Sequence, residues 1–259
     1  MAGDVLLERD GGIAVVTLSQ PDKLNAMTTA MYDRLGAIMD TVSADDSVRC
    51  VVLRGAGERA FCPGSDITEF GGEREGRAQA KDYAGRTNAS VFKVGTCRHP
   101  TVALIRGVCV GGGMEIASMC DVRICGRSSR FGIPINRLGL TVDYDELGML
   151  VELIGRRRTL ELLLEGRIID AGEAERIGLV TRCVADGDVE ADAMATAGRI
   201  AEAAPLVNRW HKRFVRRLAE PGPLSEAELN EAFDCFDTED YRIGRAAFAE
   251  KKTPQFVGR

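Results

Sequence analysis

The chain has 259 residues, 45% of them hydrophobic and 28% charged, with a net charge of −5. That length supports one large core, or one core with an extension. An acidic balance with no long run of one sign excludes a dedicated nucleic-acid surface, and no window reaches the ~20 apolar residues needed to span a bilayer.

The start, Met1-Ala2-Gly3-Asp4-Val5, lacks the basic and apolar pattern of a signal peptide. A cytoplasmic protein with no nucleic-acid and no membrane partner is therefore expected. None of the eight cysteines forms a C-x-x-C pair, and several stand in apolar runs such as Cys50-Val51-Val52-Leu53. They read as buried reduced thiols. Two histidines, His99 and His211, are too few for an ordinary zinc site, so no metal is expected. The basic groups at 156–158 and 216–217 read as solvated helix faces.

In chain order, residues 5–8 and 13–18 read as a hairpin joined by Asp10-Gly11-Gly12. A helix follows Thr28-Thr29, with Met31, Leu35, Ile38, Met39 and Val42 on one face. Residues 49–53 read as a buried strand. Residues 71–79 are polar and rich in glycine, which predicts a mobile loop. A strand at 101–105 leads through Val108-Cys109-Val110 to a glycine run, a helix at 113–119 and a strand at 122–125. Leu147, Leu150, Val151 and Ile154 form a helical stripe. Residues 167–169 precede a short helix ending at Gly178, and 179–184 return to strand character. This alternation predicts an α/β core over residues 1–187. From 188 to 259 helical periodicity takes over, divided by Pro205 and Pro221-Gly222-Pro223 into at least three helices. Such a tail is expected to pack on a neighbouring copy or on its own core.

Two segments carry chemistry. They are Ala60-Phe61-Cys62-Pro63-Gly64-Ser65-Asp66-Ile67 and Gly107-Val108-Cys109-Val110-Gly111-Gly112-Gly113-Met114-Glu115. Each places small residues before a predicted helix. There backbone N–H groups lack intrahelical partners, and a ligand can approach the main chain closely. The glycine run lacks the Gly-Lys-Ser/Thr of a P-loop and the spacing of a dinucleotide fingerprint.

Together the two segments resemble the oxyanion-hole segments of the enoyl-CoA hydratase/isomerase (crotonase) family. The resemblance extends through Leu18 to Met27, Cys120 to Cys125, Phe131-Gly132-Ile133-Pro134, Leu138-Gly139-Leu140 and Ala171 to Val180. It implies an α/β crotonase-type core of repeated ββα units with a C-terminal helical region that assists oligomerisation and closure of the coenzyme site. It further implies a homotrimer or homohexamer acting on an acyl-CoA thioester, with no cofactor beyond the coenzyme A of the substrate. The backbone N–H groups of Ser65 and Gly112 would hold the thioester oxygen as it gains charge. Glu115 matches the first catalytic glutamate. Lys23, Asn25, Ala26, Gly64, Asp66, Ile67, Gly111, Pro134, Ile135, Phe248 and Lys251 fall at positions that bind substrate or coenzyme. Lys252 is a further possible phosphate partner.

One departure bears on the reaction. The family's second glutamate should follow Pro134, where this chain has Ile135, and an isoleucine transfers no proton. Asp143 stands where some members place a catalytic aspartate and is expected to pair with Glu115, while Asp145 is expected to cap the following helix. The main expectation is a hydratase-like lyase working on a 2-enoyl-CoA or 3-hydroxyacyl-CoA. Enoyl or dienoyl isomerisation, thioester hydrolysis and carbon–carbon cleavage are alternatives on the same enolate. Non-catalytic acyl-CoA binding is an alternative of another class. Serine hydrolysis through Ser65 is disfavoured, because neither histidine stands in a partner position.

Overall fold

The structure is a computed structural model that describes residues 3–69, 71 and 75–259. Strands β1 (Asp4–Asp10) and β2 (Ile13–Ser19) form the antiparallel hairpin, closing at the pair Asp10 and Ile13. To β2 are added, all parallel, β3 (Cys50–Gly55), β5 (Thr101–Ile105), β7 (Val122–Gly126) and β10 (Arg182–Val184). The order in this six-stranded sheet is β1-β2-β3-β5-β7-β10. A second sheet holds short strands in the order β4 (Ala60–Cys62), β6 (Val108–Val110), β8 (Arg130–Gly132) and β9 (Ile169–Asp170). Its first three strands are parallel and β9 runs against β8. The chain visits the sheets alternately: β3 then β4, β5 then β6, β7 then β8.

The central strands β2, β3, β5 and β7 of the large sheet are buried on both faces, which explains their unbroken apolar runs. Along β3 the side chains alternate: Val51 and Leu53 join one core cluster, Cys50 and Val52 the other. The larger cluster takes in helix α1 (Thr29–Ala44) through Met31, Leu35, Ile38, Met39 and Val42, the stripe expected from the sequence. Thr28 starts this helix by accepting the Met31 N–H at 3.2 Å.

The opposite face is covered by α6 (Val189–Glu202), whose Val189, Ala193 and Ala197 are fully buried. The helical region does begin at residue 188 or so, but its first helix completes the core of the sheet. Beyond it, α7 (Pro205–Ala219), α8 (Glu226–Glu231) and α9 (Glu239–Glu250) lie at the surface. Phe233, Phe236 and Phe248 are exposed there.

Helix α2 (Arg77–Thr96) packs along α1, while α3 (Gly112–Ser118), α4 (Tyr144–Glu165) and α5 (Ala171–Arg176) gather at the small sheet. Helix α4 is broken at Gly155, which has φ 75° and ψ 155°. Two expectations need correction. Residues 77–79 belong to α2 rather than to a loop, while 72–74 lie outside the described residues. Strand β10 begins at Arg182, because Leu179 and Val180 instead fold back with their N–H groups on the Ala174 carbonyl. No helix among the described residues is long and apolar enough to cross a membrane.

Candidate active site

Three parallel strands of the small sheet end side by side, and each end feeds one segment of a cavity. Strand β4 leads to Pro63-Gly64-Ser65, β6 to Gly111-Gly112 and β8 to Ile133-Pro134-Ile135. The cavity they line has a volume of about 390 Å³. Helix α2 closes one side with Tyr83 and Asn88, and α4 contributes Asp143 and Glu146.

The main chain at the end of β4 is fixed by Met27. The Met27 N–H donates to the Gly64 carbonyl at 2.8 Å, and the Asp66 N–H donates to the Met27 carbonyl at 2.8 Å. Successive peptide groups in extended chain face opposite ways. The Ser65 N–H, lying between these two bonds, is therefore turned away from Met27. Gly112 opens α3, where N–H groups have no intrahelical acceptor. The two segments touch backbone to backbone: a Cβ added to Gly64 would lie 3.1 Å from the Gly112 nitrogen. Gly111 adopts φ 54°, ψ −131°, a conformation essentially confined to glycine. Gly113 lies so close to β4 that a Cβ would meet the Cys62 carbonyl at 2.1 Å.

Glu115 is 9% exposed and faces the cavity from the first turn of α3. Burial pushes the Cys62 thiol up to about 12, with the Glu115 charge adding to the effect and a backbone hydrogen bond with Gly64 opposing it. Cys62 is therefore a neutral thiol. It braces Gly64, whose N–H donates to its Sγ at 3.3 Å.

The chain was compared with known proteins. The model of the enoyl-CoA hydratase/isomerase family matches residues 8–259. The chain belongs to the enoyl-CoA hydratase/isomerase family. A crystal structure of an enoyl-CoA hydratase/carnitine racemase from Magnetospirillum magneticum superposes with a TM-score of 0.97 at 46% identity, covering 98% of this chain and 96% of that one. A probable enoyl-CoA hydratase of Mycobacterium bovis is 35% identical over 258 residues, 98% of each chain. A short-chain-enoyl-CoA hydratase of Clostridium acetobutylicum is 32% identical over 251 residues, 96% of this chain and 95% of the relative.

Of the residues that the hydratase/isomerase resemblance singled out, the cavity wall holds Gly64, Ser65, Ile67, Gly111, Gly112, Glu115, Pro134, Ile135 and Asp143. Others stand outside it. Asn25 is 1% exposed, and its amide is spent on the chain itself, donating to the Ala56 and Ala60 carbonyls and accepting from the Gln20 N–H. Ala26 is buried, its carbonyl accepting from Gln20 Nε2 at 3.1 Å. Asp66 is buried too, and takes the Lys23 ammonium at 2.6 Å. Burial alone would raise the Asp66 carboxyl, but hydrogen bonds from Lys23, Thr68 and Gln20 outweigh it and hold the group down at about 2. These four residues brace the loop that carries Ser65. Phe248 is 88% exposed on α9 and Lys251 ends that helix in a left-handed turn, while Lys252 pairs with Glu250; none of the three is in the wall. His99 and His211 are likewise absent from the wall.

Asp143 reaches the cavity but is not the freer of the two aspartates. It caps α4 itself, one oxygen accepting the Glu146 N–H at 3.0 Å in a reciprocal capping box. Its other oxygen accepts from Asn88 Nδ2 at 2.6 Å. Asp145 was expected in that place, although Asp143 has a glutamate three residues on and Asp145 has Gly148. Tyr32, Tyr83 and Asn88 were not anticipated. The last two lie on α2, which the sequence reading did not find.

Proposed function

We propose that this protein is an enoyl-CoA hydratase, adding water across the double bond of a 2-enoyl thioester of coenzyme A. The observation that carries this reading is the juxtaposition of Ser65, the Gly111-Gly112 segment and Glu115 beyond the ends of the parallel strands β4 and β6. The Mycobacterium and Clostridium relatives, a probable enoyl-CoA hydratase and a short-chain-enoyl-CoA hydratase, agree with it.

In this reading the N–H groups of Ser65 and Gly112 receive the thioester oxygen. As a nucleophile adds at Cβ that oxygen becomes an enolate, and fixed donors stabilise it more than they stabilise the substrate. Glu115 holds the attacking water and takes its proton while the hydroxyl bonds to Cβ. Ile135 lines the cavity where a second carboxylate would otherwise return a proton to Cα. The protonated Glu115 then gives its proton to Cα, so that one carboxylate serves both steps and all atoms balance. Asp143, bound to Asn88 and to the start of α4, orders the wall opposite.

Coenzyme A enters as part of the substrate, with no resident cofactor. The protein serves fatty acid metabolism in the cytoplasm and assembles as a homotrimer or homohexamer. The apolar side chains exposed on its terminal helices support assembly.

The test is hydration of crotonyl-CoA, followed by loss of the enoyl-thioester absorbance. Turnover by the wild type and its collapse in Glu115→Gln are expected. Binding of enoyl-CoA thioesters without turnover of any in a panel would overturn the reading in favour of non-catalytic binding.

A further inference from the structure

Helix α1 carries none of the residues to which chemistry was assigned, yet one of its side chains stands at the junction of the two donor segments. Tyr32 is 3% exposed, and its phenol reaches the cavity wall. Its hydroxyl lies 3.2 Å from Ser65 Oγ. It also fills the space beside Gly112: a Cβ built on that glycine would stand 2.6 Å from the Tyr32 oxygen. The next nearest atoms to that Cβ are Glu115 Oε2 and the Gly64 Cα, both at 3.6 Å. Among the described residues the hydroxyl is thus the sole close obstacle to a methyl group at 112, and Gly112 is not among the glycines with positive φ.

We propose that Tyr32 is a positioning residue for the enolate pocket: its hydroxyl, joined to the Ser65 side chain, sets the gap between the Ser65 loop and the start of α3, and requires glycine at 112. The inference deepens the assignment of the Ser65 and Gly112 amides as donors, and rests on it.

The physical argument concerns aim. A hydrogen bond weakens steeply as its angle departs from linear, so two backbone donors act on one oxygen only if their peptide planes are held. Met27 holds the chain on either side of Ser65, and the Tyr32 contact adds a hold on the residue itself. A phenol suits this task because its hydroxyl sits at the tip of a rigid ring. It is also neutral. Burial first, then the electrostatic influence of Cys62, Tyr83 and Glu115, push its ionisation well above the ordinary tyrosine range, opposed by the Ser65 hydrogen bond. A phenolate beside a developing enolate would repel it; the protonated phenol does not.

The experiment uses the full chain with crotonyl-CoA as substrate. Four variants are compared with wild type: Tyr32→Phe, Ser65→Ala, Gly112→Ala, and Tyr32→Phe combined with Gly112→Ala. Turnover is measured together with the infrared carbonyl stretch of a bound acyl thioester, which reports how strongly the pocket polarises that bond. Tyr32→Phe is expected to lower kcat on the order of tenfold, less than the ~10²-fold that a 1 Å misplacement can cost. KM should stay within about twofold, the carbonyl band should move back toward its free value, and circular dichroism should show the fold retained. Ser65→Ala should reproduce this loss. Gly112→Ala should be worse, and Tyr32→Phe should partly restore it by removing the obstructing oxygen. Full kcat and an unmoved carbonyl band in Tyr32→Phe would overturn the proposal, as would a Gly112→Ala defect that Tyr32→Phe leaves unrelieved. If the wild type itself neither hydrates crotonyl-CoA nor shifts the carbonyl band, the donor assignment has failed, and this inference with it.

Discussion

The cavity at the ends of β4, β6 and β8 and the groove beside α7 are both lined by charged side chains, but they are built differently. The groove is the larger, about 810 Å³ against about 390 Å³. Its wall includes Arg209, Lys212, Arg213 and Arg217, each already in an ion pair, with Asp46, Asp121, Glu231 and Glu228 respectively. Apolar neighbours such as Leu218 and Leu229 stand largely exposed. In the smaller cavity the polar equipment is main chain, backed by a buried carboxylate and by loops whose own side chains are committed to holding them. The proposed site is therefore set apart from the groove not by size or formal charge but by polar groups held on rigid strand ends.

The largest expected effect falls on Glu115. Glu115→Gln should lower kcat for crotonyl-CoA by about 10²–10⁴-fold without loss of the folded circular dichroism signal; full turnover would remove the contrast between the two cavities. Next is the hidden scaffold. Asn25→Ala strands the Gln20 N–H in the loop before α1 and the Ala56 and Ala60 carbonyls between β3 and β4, each worth about 1–3 kcal/mol when left unmade, and should cost about 3 kcal/mol in urea-unfolding stability. An unchanged midpoint would show that the loop does not need this brace.

The third concerns acid. Asp66 has a depressed folded value of about 2, below the ~3.9 of an unfolded aspartate. Its contribution, about 2 kcal/mol, is complete above pH 4 and is lost as pH falls from there toward 2. Asp66→Asn should lose stability at pH 6 and show a flatter decline between pH 4 and 2, as read from urea midpoints. Smaller still, Asp143→Ala should cost about 1 kcal/mol through the lost helix cap. Asp143→Asn keeps a cap and should keep kcat within about tenfold; a fall matching that of Glu115→Gln would make Asp143 a proton carrier after all. Least of all in stability, Phe233→Ser with Phe236→Ser should change monomer unfolding by about 0.5 kcal/mol or less, while shifting sedimentation toward smaller species.

The strands of the large sheet, the α1 stripe and the glycine run were legible because burial on both faces leaves unbroken apolar runs and because tight backbone approaches exclude side chains. Helix α2 was not: its residues 77–90 are mostly charged, small or polar, so its apolar positions do not repeat clearly at helical spacing. With α2 went Tyr83 and Asn88. Tyr32 sits beside Met31 on a stripe that reads as filler, and only its hydroxyl hinted at more. The capping error at Asp143 had a signal that was available, the glutamate three residues on. The bracing roles of Asn25 and Asp66 depend on contacts between segments distant along the chain, which no local pattern expresses.

The three strand ends carry a consequence for how such a molecule changes over generations. Each short segment hangs from its own strand, anchored independently by the pairing of the small sheet. One segment can carry an apolar side chain, as at Ile135, while the other two keep their register. The amides proposed as donors, moreover, are shielded from mutation at the genetic level, since a codon change at position 65 to any residue but proline leaves an N–H in place. Reaction type can drift in such a scaffold while the means of activating a thioester persists.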